Sequence, residues 1–203
     1  MKMRFYERGI RISASFWFFA ALALFLVFDK DGLALYFLAP VFVHELGHLA
    51  AMRLLGVNIR SVGFSAFGID IQKAGGLGIS YAKEIIVASS GALANLALAL
   101  GLSFFSHDFD NPGRATLFMA ANIAVAAFNM LPVGGLDGGS LLKLLAERFL
   151  SQDTAFVLSR VFSFLILVPL FALSFFLIMR PGRNFTLLAV AIYLAADIIK
   201  SEW

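Results

Sequence analysis

The sequence predicts an all-α polytopic membrane protein with about six transmembrane helices and a short membrane-surface β-hairpin between the second and third. Three observations carry that fold class. Of 203 residues, 61% are hydrophobic and 14% charged, 23 are phenylalanine and the mean hydropathy is +0.88. This is more apolar surface than a soluble core of that size can bury. The apolar residues run in continuous stretches instead of alternating, which excludes a strand barrel. Helices remain, because they satisfy every backbone amide in lipid within one segment. One segment, 58–80, departs from the pattern in both composition and glycine content.

Taken in order, the first stretch is about Ile12–Phe28, preceded by Lys2, Arg4, Arg8 and Arg11. No small-residue cleavage site punctuates Phe16 to Phe28, so a retained span is expected and not a signal peptide. Leu33–Leu55, Glu84–Phe105, Ala115–Leu131, Phe156–Met179 and Phe185–Ile199 follow, each near the roughly twenty residues that a crossing needs. Between the second and third lies Ser61-Val62-Gly63-Phe64-Ser65-Ala66-Phe67-Gly68-Ile69-Asp70-Ile71, then Gly75-Gly76-Leu77-Gly78. β-Branched and aromatic residues broken by glycine predict the hairpin there. The N-terminus, the 53–83 loop (Arg53, Arg60, Lys73, Lys83) and the 132–154 segment (Lys143, Arg148) are basic, whereas Asp29–Asp31 and His107–Asp110 are acidic or mixed. Both termini are therefore expected on the cytoplasmic side of a bacterial cytoplasmic membrane, with Arg180 and Arg183 placed outside against the general trend. No tandem repeat or low-complexity tract is evident, and a single domain over 1–203 without PDZ or CBS modules is expected.

Composition also excludes functions. The formal charge is only +3, and no basic block interleaved with aromatics marks a nucleic-acid partner. There is no cysteine, which rules out disulfides, thiolate-bound zinc, iron–sulfur clusters and thiol catalysis.

The chemistry concentrates at His44-Glu45-Leu46-Gly47-His48, inside the second apolar stretch. Helical residues four apart share a face, so two imidazoles in H-E-x-x-H can bind one zinc ion. Ionisable groups at membrane depth are costly unless they pair, face a cavity or bind a metal. Catalytic zinc takes three protein ligands, so a third must come from elsewhere. His107 falls in the expected outer loop and reads as a solvated residue. Asp137 sits in Asn129-Met130-Leu131-Pro132-Val133-Gly134-Gly135-Leu136-Asp137-Gly138-Gly139, where proline ends a span and glycines permit an irregular chain. On the residues alone, Asp137 is either a ligand or the N-cap of a helix over Ser140 to Leu150.

HELGH in one span with N-x-x-P-x-x-x-L-D-G-G after a later one resembles the site-2 protease family of intramembrane zinc metalloproteases. The resemblance runs from about Arg8 to Phe149 and is greatest to compact bacterial members, including the sporulation proteases that process a membrane-associated sigma-factor precursor. It implies that His44, His48 and Asp137 bind one zinc per chain, that Glu45 is the catalytic base, and that Asn129 lines the site, where a side-chain amide could donate to the oxyanion as oxyanion holes do. The implied partner is a membrane-associated or single-span protein, cut in or near its transmembrane segment within the bilayer. Many relatives carry Gly-Pro-x-x-Asn in the third span. Here Ser90-Gly91-Ala92-Leu93-Ala94-Asn95 keeps Gly91 and Asn95 but has Ala92 in place of proline. Asn95 thus reads equally as a substrate-binding residue or an interhelical hydrogen bond worth about 1 kcal/mol or less. Phe64 and Phe67 are candidate substrate-binding residues on a hairpin whose edge, around Val62–Ile71, holds an unwound substrate by strand addition or simply anchors at the membrane.

The competing class is a non-hydrolytic metal-binding or metal-transporting membrane protein, since intramembrane His and Asp also mark ion pathways. Permeation sites usually draw on several polar spans or internal repeats, and a transporter has no need of Glu45. A serine protease using Ser89 or Ser90 is expected to lack a histidine in a facing span, and these small residues read as close helix packing.

Overall fold

The computed structural model describes residues 2–7, 10–29, 32–65, 68–73, 79–104, 112–179 and 185–200. Phe67, His107, Gly75 to Gly78, Arg180 and Arg183 lie outside them. The chain divides into two compact units, Met1–Ala126 and Ala127–Trp203.

The first unit begins with strands β1 (Lys2–Glu7) and β2 (Ile10–Ser15), followed by helix α1 (Phe16–Phe28). This corrects the expected first span: Ile12 to Ser15 are strand, and the helix has only 13 residues. At 1.5 Å per residue it is about 20 Å long, short of a hydrocarbon core of about 30 Å. The expected hairpin is present as β3 (Ile59–Ser65) and β4 (Gly68–Lys73), antiparallel with Val62 opposite Ile71. It is half of a four-stranded sheet in the order β1-β2-β3-β4, because β2 pairs in parallel with β3, Ile12 opposite Val62. β3 is therefore an inner strand, and the sheet's edges are β1 and β4, which corrects the expectation of a free edge around Val62.

Helix α2 (Ala34–Leu54) starts where Asp29 caps it: its two carboxylate oxygens each accept at 2.8 Å, from the Leu33 and Ala34 N–H groups. It ends in a left-handed Gly56, φ +65°, with Val57 N–H returning to the Met52 carbonyl at 2.8 Å. That bond satisfies a carbonyl the helix leaves open. Helix α3 (Tyr81–Phe104) packs along α2, burying Ala51, Met52, Val57 and Val87. Helix α4 (Pro112–Asn129) closes the unit and runs on into the next.

In the second unit α5 (Asp137–Glu147) precedes α6 (Gln152–Ile178) and α7 (Thr186–Lys200), around a core of Val133, Leu136, Leu167, Leu194 and Ile198. α6 leaves Val161, Phe164, Leu165, Val168 and Phe175 exposed, a face suited to lipid and costly in water.

Among the described residues, three helices are long and apolar enough to cross a membrane: α2, α3 and α6. α7 is shorter, and α4 carries Arg114, Asn122 and Asn129. The protein is mainly helical and integral to the membrane.

Candidate metal centre

The α2 register puts His44 and His48 one turn apart on the face turned to α3, where they are 3% and 8% exposed. Their rings meet edge to face at 4.8 Å, and their Nε2 atoms lie 3.2 Å apart. The Nδ1 atoms are both engaged elsewhere. His48 Nδ1 is 2.8 Å from the Val87 carbonyl, which can only accept, so the proton is on Nδ1 and the lone pair is on Nε2. His44 Nδ1 is 3.0 Å from the Asn95 side-chain oxygen, with the same consequence. Two acceptor nitrogens thus face each other, an arrangement that one shared cation satisfies. Nitrogens 2.0 to 2.1 Å from a tetrahedral zinc stand about 3.3 Å apart, so the pair fits the ion. Its Nδ1 partners supply the orientation that metal-binding imidazoles ordinarily receive from outer groups.

Close approach of α3 depends on two glycines. A Cβ at Gly47 would come within 2.6 Å of the Ser90 carbonyl and 3.0 Å of Gly91 Cα, so the two backbones nearly touch. A Cβ at Gly91 would stand 2.5 Å from His48 Nε2 and 2.7 Å from His44 Nε2, against both donor atoms. Gly91→Ala should therefore weaken metal binding. Overpacking costs about 1–3 kcal/mol, which is roughly 5- to 140-fold in affinity if it falls on the metal. Chelator competition on the purified variant reads the change, and wild-type affinity would show that α3 yields without cost.

The other predicted residues fall as follows. Glu45 is half-buried on α2, about 100° around the helix from His44. Asn95 is 0% exposed. Its Nδ2 donates at 2.8 Å to both the Pro40 carbonyl and Asn122 Oδ1, and its oxygen faces His44. Both amide hydrogens are thus used inside the protein, in hydrogen bonds to α2 and α4. Phe64 is half-buried in β3 with its ring 5.4 Å from that of Phe18. A histidine does face Ser90, contrary to expectation: His48 Nδ1 is 3.4 Å from its hydroxyl. That hydroxyl donates to Val87 O at 2.7 Å, the same carbonyl that holds His48, and so serves the imidazole's orientation.

In the second unit, Asn129 is the last residue of α4 and half-buried. Asp137 is the first residue of α5, and the N-cap is Leu136, extended at φ −107°, ψ 162°, without a side-chain capping bond. Asp137 thus stands one position past the N-cap that the sequence offered it. The preceding loop is tightly nested. Gly135 takes φ +87°, the Gly134 N–H donates to Ser163 Oγ at 2.8 Å, and a Cβ on Gly138 or Gly139 would collide with the carbonyls of Met130 or Val133. The Gly138-Gly139 pair follows from that nesting. Sequence reasoning missed Val87, Gly47, Ser163 and Asn122. An Asn amid the alanines and other apolar residues of a helix was a usable signal for Asn122, whereas the others act through backbone or packing.

Residues 106–169 match Peptidase family M50. The chain is 29% identical over 155 residues to Stage IV sporulation protein FB of Bacillus subtilis, covering 72% of this chain and 50% of that protein. It is 32% identical over 116 residues to the Synechocystis sp. protein sll0528, named as a proposed zinc metalloprotease, covering 54% of this chain and 30% of that protein. The chain thus spans half or less of these relatives. Its fold is similar to the solved structure of the site-2 protease from Methanocaldococcus jannaschii, with a TM-score of 0.71 at 18% identity, over 100% of this chain and 96% of that one.

Proposed function

We propose that this chain, which its sequence matches and its fold together group with the site-2 proteases and Peptidase family M50, is an intramembrane zinc metalloprotease that cuts a peptide bond in or near the transmembrane segment of a membrane-associated protein. The observation that carries this reading is the pair of buried imidazoles, both anchored at Nδ1, with Nε2 atoms 3.2 Å apart. The two motifs assign the ion to His44, His48 and Asp137, two neutral imidazoles and one carboxylate, a donor set typical of catalytic zinc.

When bound, zinc polarises the scissile carbonyl and acidifies the attacking water. Glu45, next to His44 and outside the donor set, takes that water's proton and returns it to the leaving amine. Asn129 contributes an amide N–H to the oxygen on which charge develops. A helical substrate hides its carbonyls in i to i−4 bonds and must unwind before it is cut. The β4 edge, Gly68–Lys73, suits the freed segment through backbone pairing, with Phe64 on the paired strand β3 as a further contact. α1, α4 and α7 complete six membrane helices with α2, α3 and α6, the short α1 crossing where the bilayer thins locally to match it. The basic charge of the 53–83 segment supports a cytoplasmic side for the C-terminal end of α2, and with it the motif and both termini. A sporulation-type role in activating a sigma factor fits the similarity to Stage IV sporulation protein FB.

One experiment tests the core of this reading. The purified protein in bilayers, given a single-span substrate, should cut it near its cytoplasmic end and stop on zinc chelation. Chelator-resistant cleavage would remove the metal from the mechanism, and cleavage at the opposite end would reverse the topology. Bound zinc with no cleavage of any membrane-associated substrate would favour the metal-transport alternative.

A further inference from the structure

Two asparagines are wholly buried in the first unit, Asn95 on α3 and Asn122 on α4, each 0% exposed. A buried amide without partners costs several kcal/mol, and packing needs neither. Their hydrogen bonds form a directed chain. Asn122 Nδ2 donates to the Phe118 carbonyl at 2.9 Å. A carbonyl can only accept, which fixes the orientation of that amide and leaves its oxygen for Asn95. Asn95 Nδ2 then donates to Asn122 Oδ1 and to the Pro40 carbonyl, both at 2.8 Å. Both amide protons of Asn95 are placed, and only its oxygen remains, 3.0 Å from His44 Nδ1.

We propose that Asn122 is a positioning residue for the metal centre: acting through Asn95, it fixes His44 in the Nδ1–H tautomer and so keeps the Nε2 lone pair available to a metal ion. Were the Asn95 amide reversed, its NH2 would face His44 Nδ1, the imidazole proton would move to Nε2, and that nitrogen could not ligate. The carbonyls of Phe118 and Pro40 set the polarity of the whole chain from α4 and α2. His48 is held differently, by the Val87 carbonyl at 2.8 Å, and owes nothing to Asn122. The pair therefore contains its own control. The inference rests on the zinc reading above for its purpose, but the tautomer is measurable without it.

The test uses the full chain, histidines labelled with 15N, in wild-type and Asn122→Leu forms. With three histidines in the sequence, the imidazole nitrogen signals are assignable. In metal-free wild type, His44 and His48 should both be Nδ1–H. In Asn122→Leu, His44 should become a mixture of tautomers while His48 stays unchanged, and zinc affinity by chelator competition should fall about 10- to 100-fold, as for other outer groups that orient metal-bound histidines. A wild-type His44 protonated on Nε2 overturns the proposal, as does a folded Asn122→Leu with unaltered tautomer and affinity. If Asn122→Leu does not fold, the wild-type tautomer decides alone. A wild type that binds no zinc yet shows His44 as Nδ1–H supports the relay while removing the protease reading, so the two fail separately.

Discussion

Glu45→Gln should keep its full complement of zinc and lose peptide-bond cleavage by on the order of a hundredfold to ten-thousandfold. The substitution preserves side-chain size and leaves His44 and His48 in place, yet exchanges a proton acceptor for an amide that cannot take the water's proton. Structure and chemistry separate cleanly at this residue. The two imidazoles are held at Nδ1 by Asn95 and the Val87 carbonyl, neither of which the substitution touches. Zinc content by elemental analysis beside cleavage of a single-span substrate reads both halves of the expectation. Cleavage at the wild-type rate with full zinc would falsify the base assignment. Loss of zinc would make Glu45 a ligand or structural residue, and zinc handling unaffected in a chain that never cleaves would favour a transport role.

The second large effect is at Asp137. Asp137→Ala should lose zinc by more than the 10- to 100-fold typical of outer groups, because a first-sphere donor goes and two imidazoles remain. The protein should stay folded. Leu136, and not Asp137, occupies the N-cap of α5, so removing the carboxylate costs that helix the favourable interaction of a first-turn anion with the dipole, about 0.3–1 kcal/mol. A lost cap would cost as much as 2 kcal/mol. Thermal unfolding and metal analysis on the same preparation distinguish the roles. Undiminished zinc with a lowered midpoint would return Asp137 to helix stabilisation, whereas lost zinc with a nearly unchanged midpoint makes it the third ligand.

Much of the fold was readable along the chain because its signals are local. Continuous apolar stretches located α2, α3 and α6 to within a few residues, and the glycine-broken segment 61–71 located β3 and β4. The N-terminal strands were missed because Lys2, Arg4, Arg8 and Arg11 read as a charged flank to a first span. Their alternation with Met3 and Phe5 was a strand signal, but β2 is completed by parallel pairing with β3, Ile12 against Val62, some fifty positions away. Pairing over that distance leaves no periodicity for a sequence to display.

The sequence alone determined which candidate donors lie together, because His44, Glu45 and His48 are within about one helical turn and the helix period puts His44 and His48 on one face. Tertiary structure decided what those side chains can do. The proton positions on His44 and His48 depend on Asn95 and the Val87 carbonyl of another helix. The approach of that helix depends on Gly47 and Gly91 having no side chains, and the orientation of Asn95 depends on Asn122 of a third. Hydrogen-bond direction and backbone contact arise between elements distant in the chain, so no local pattern of residues encodes them.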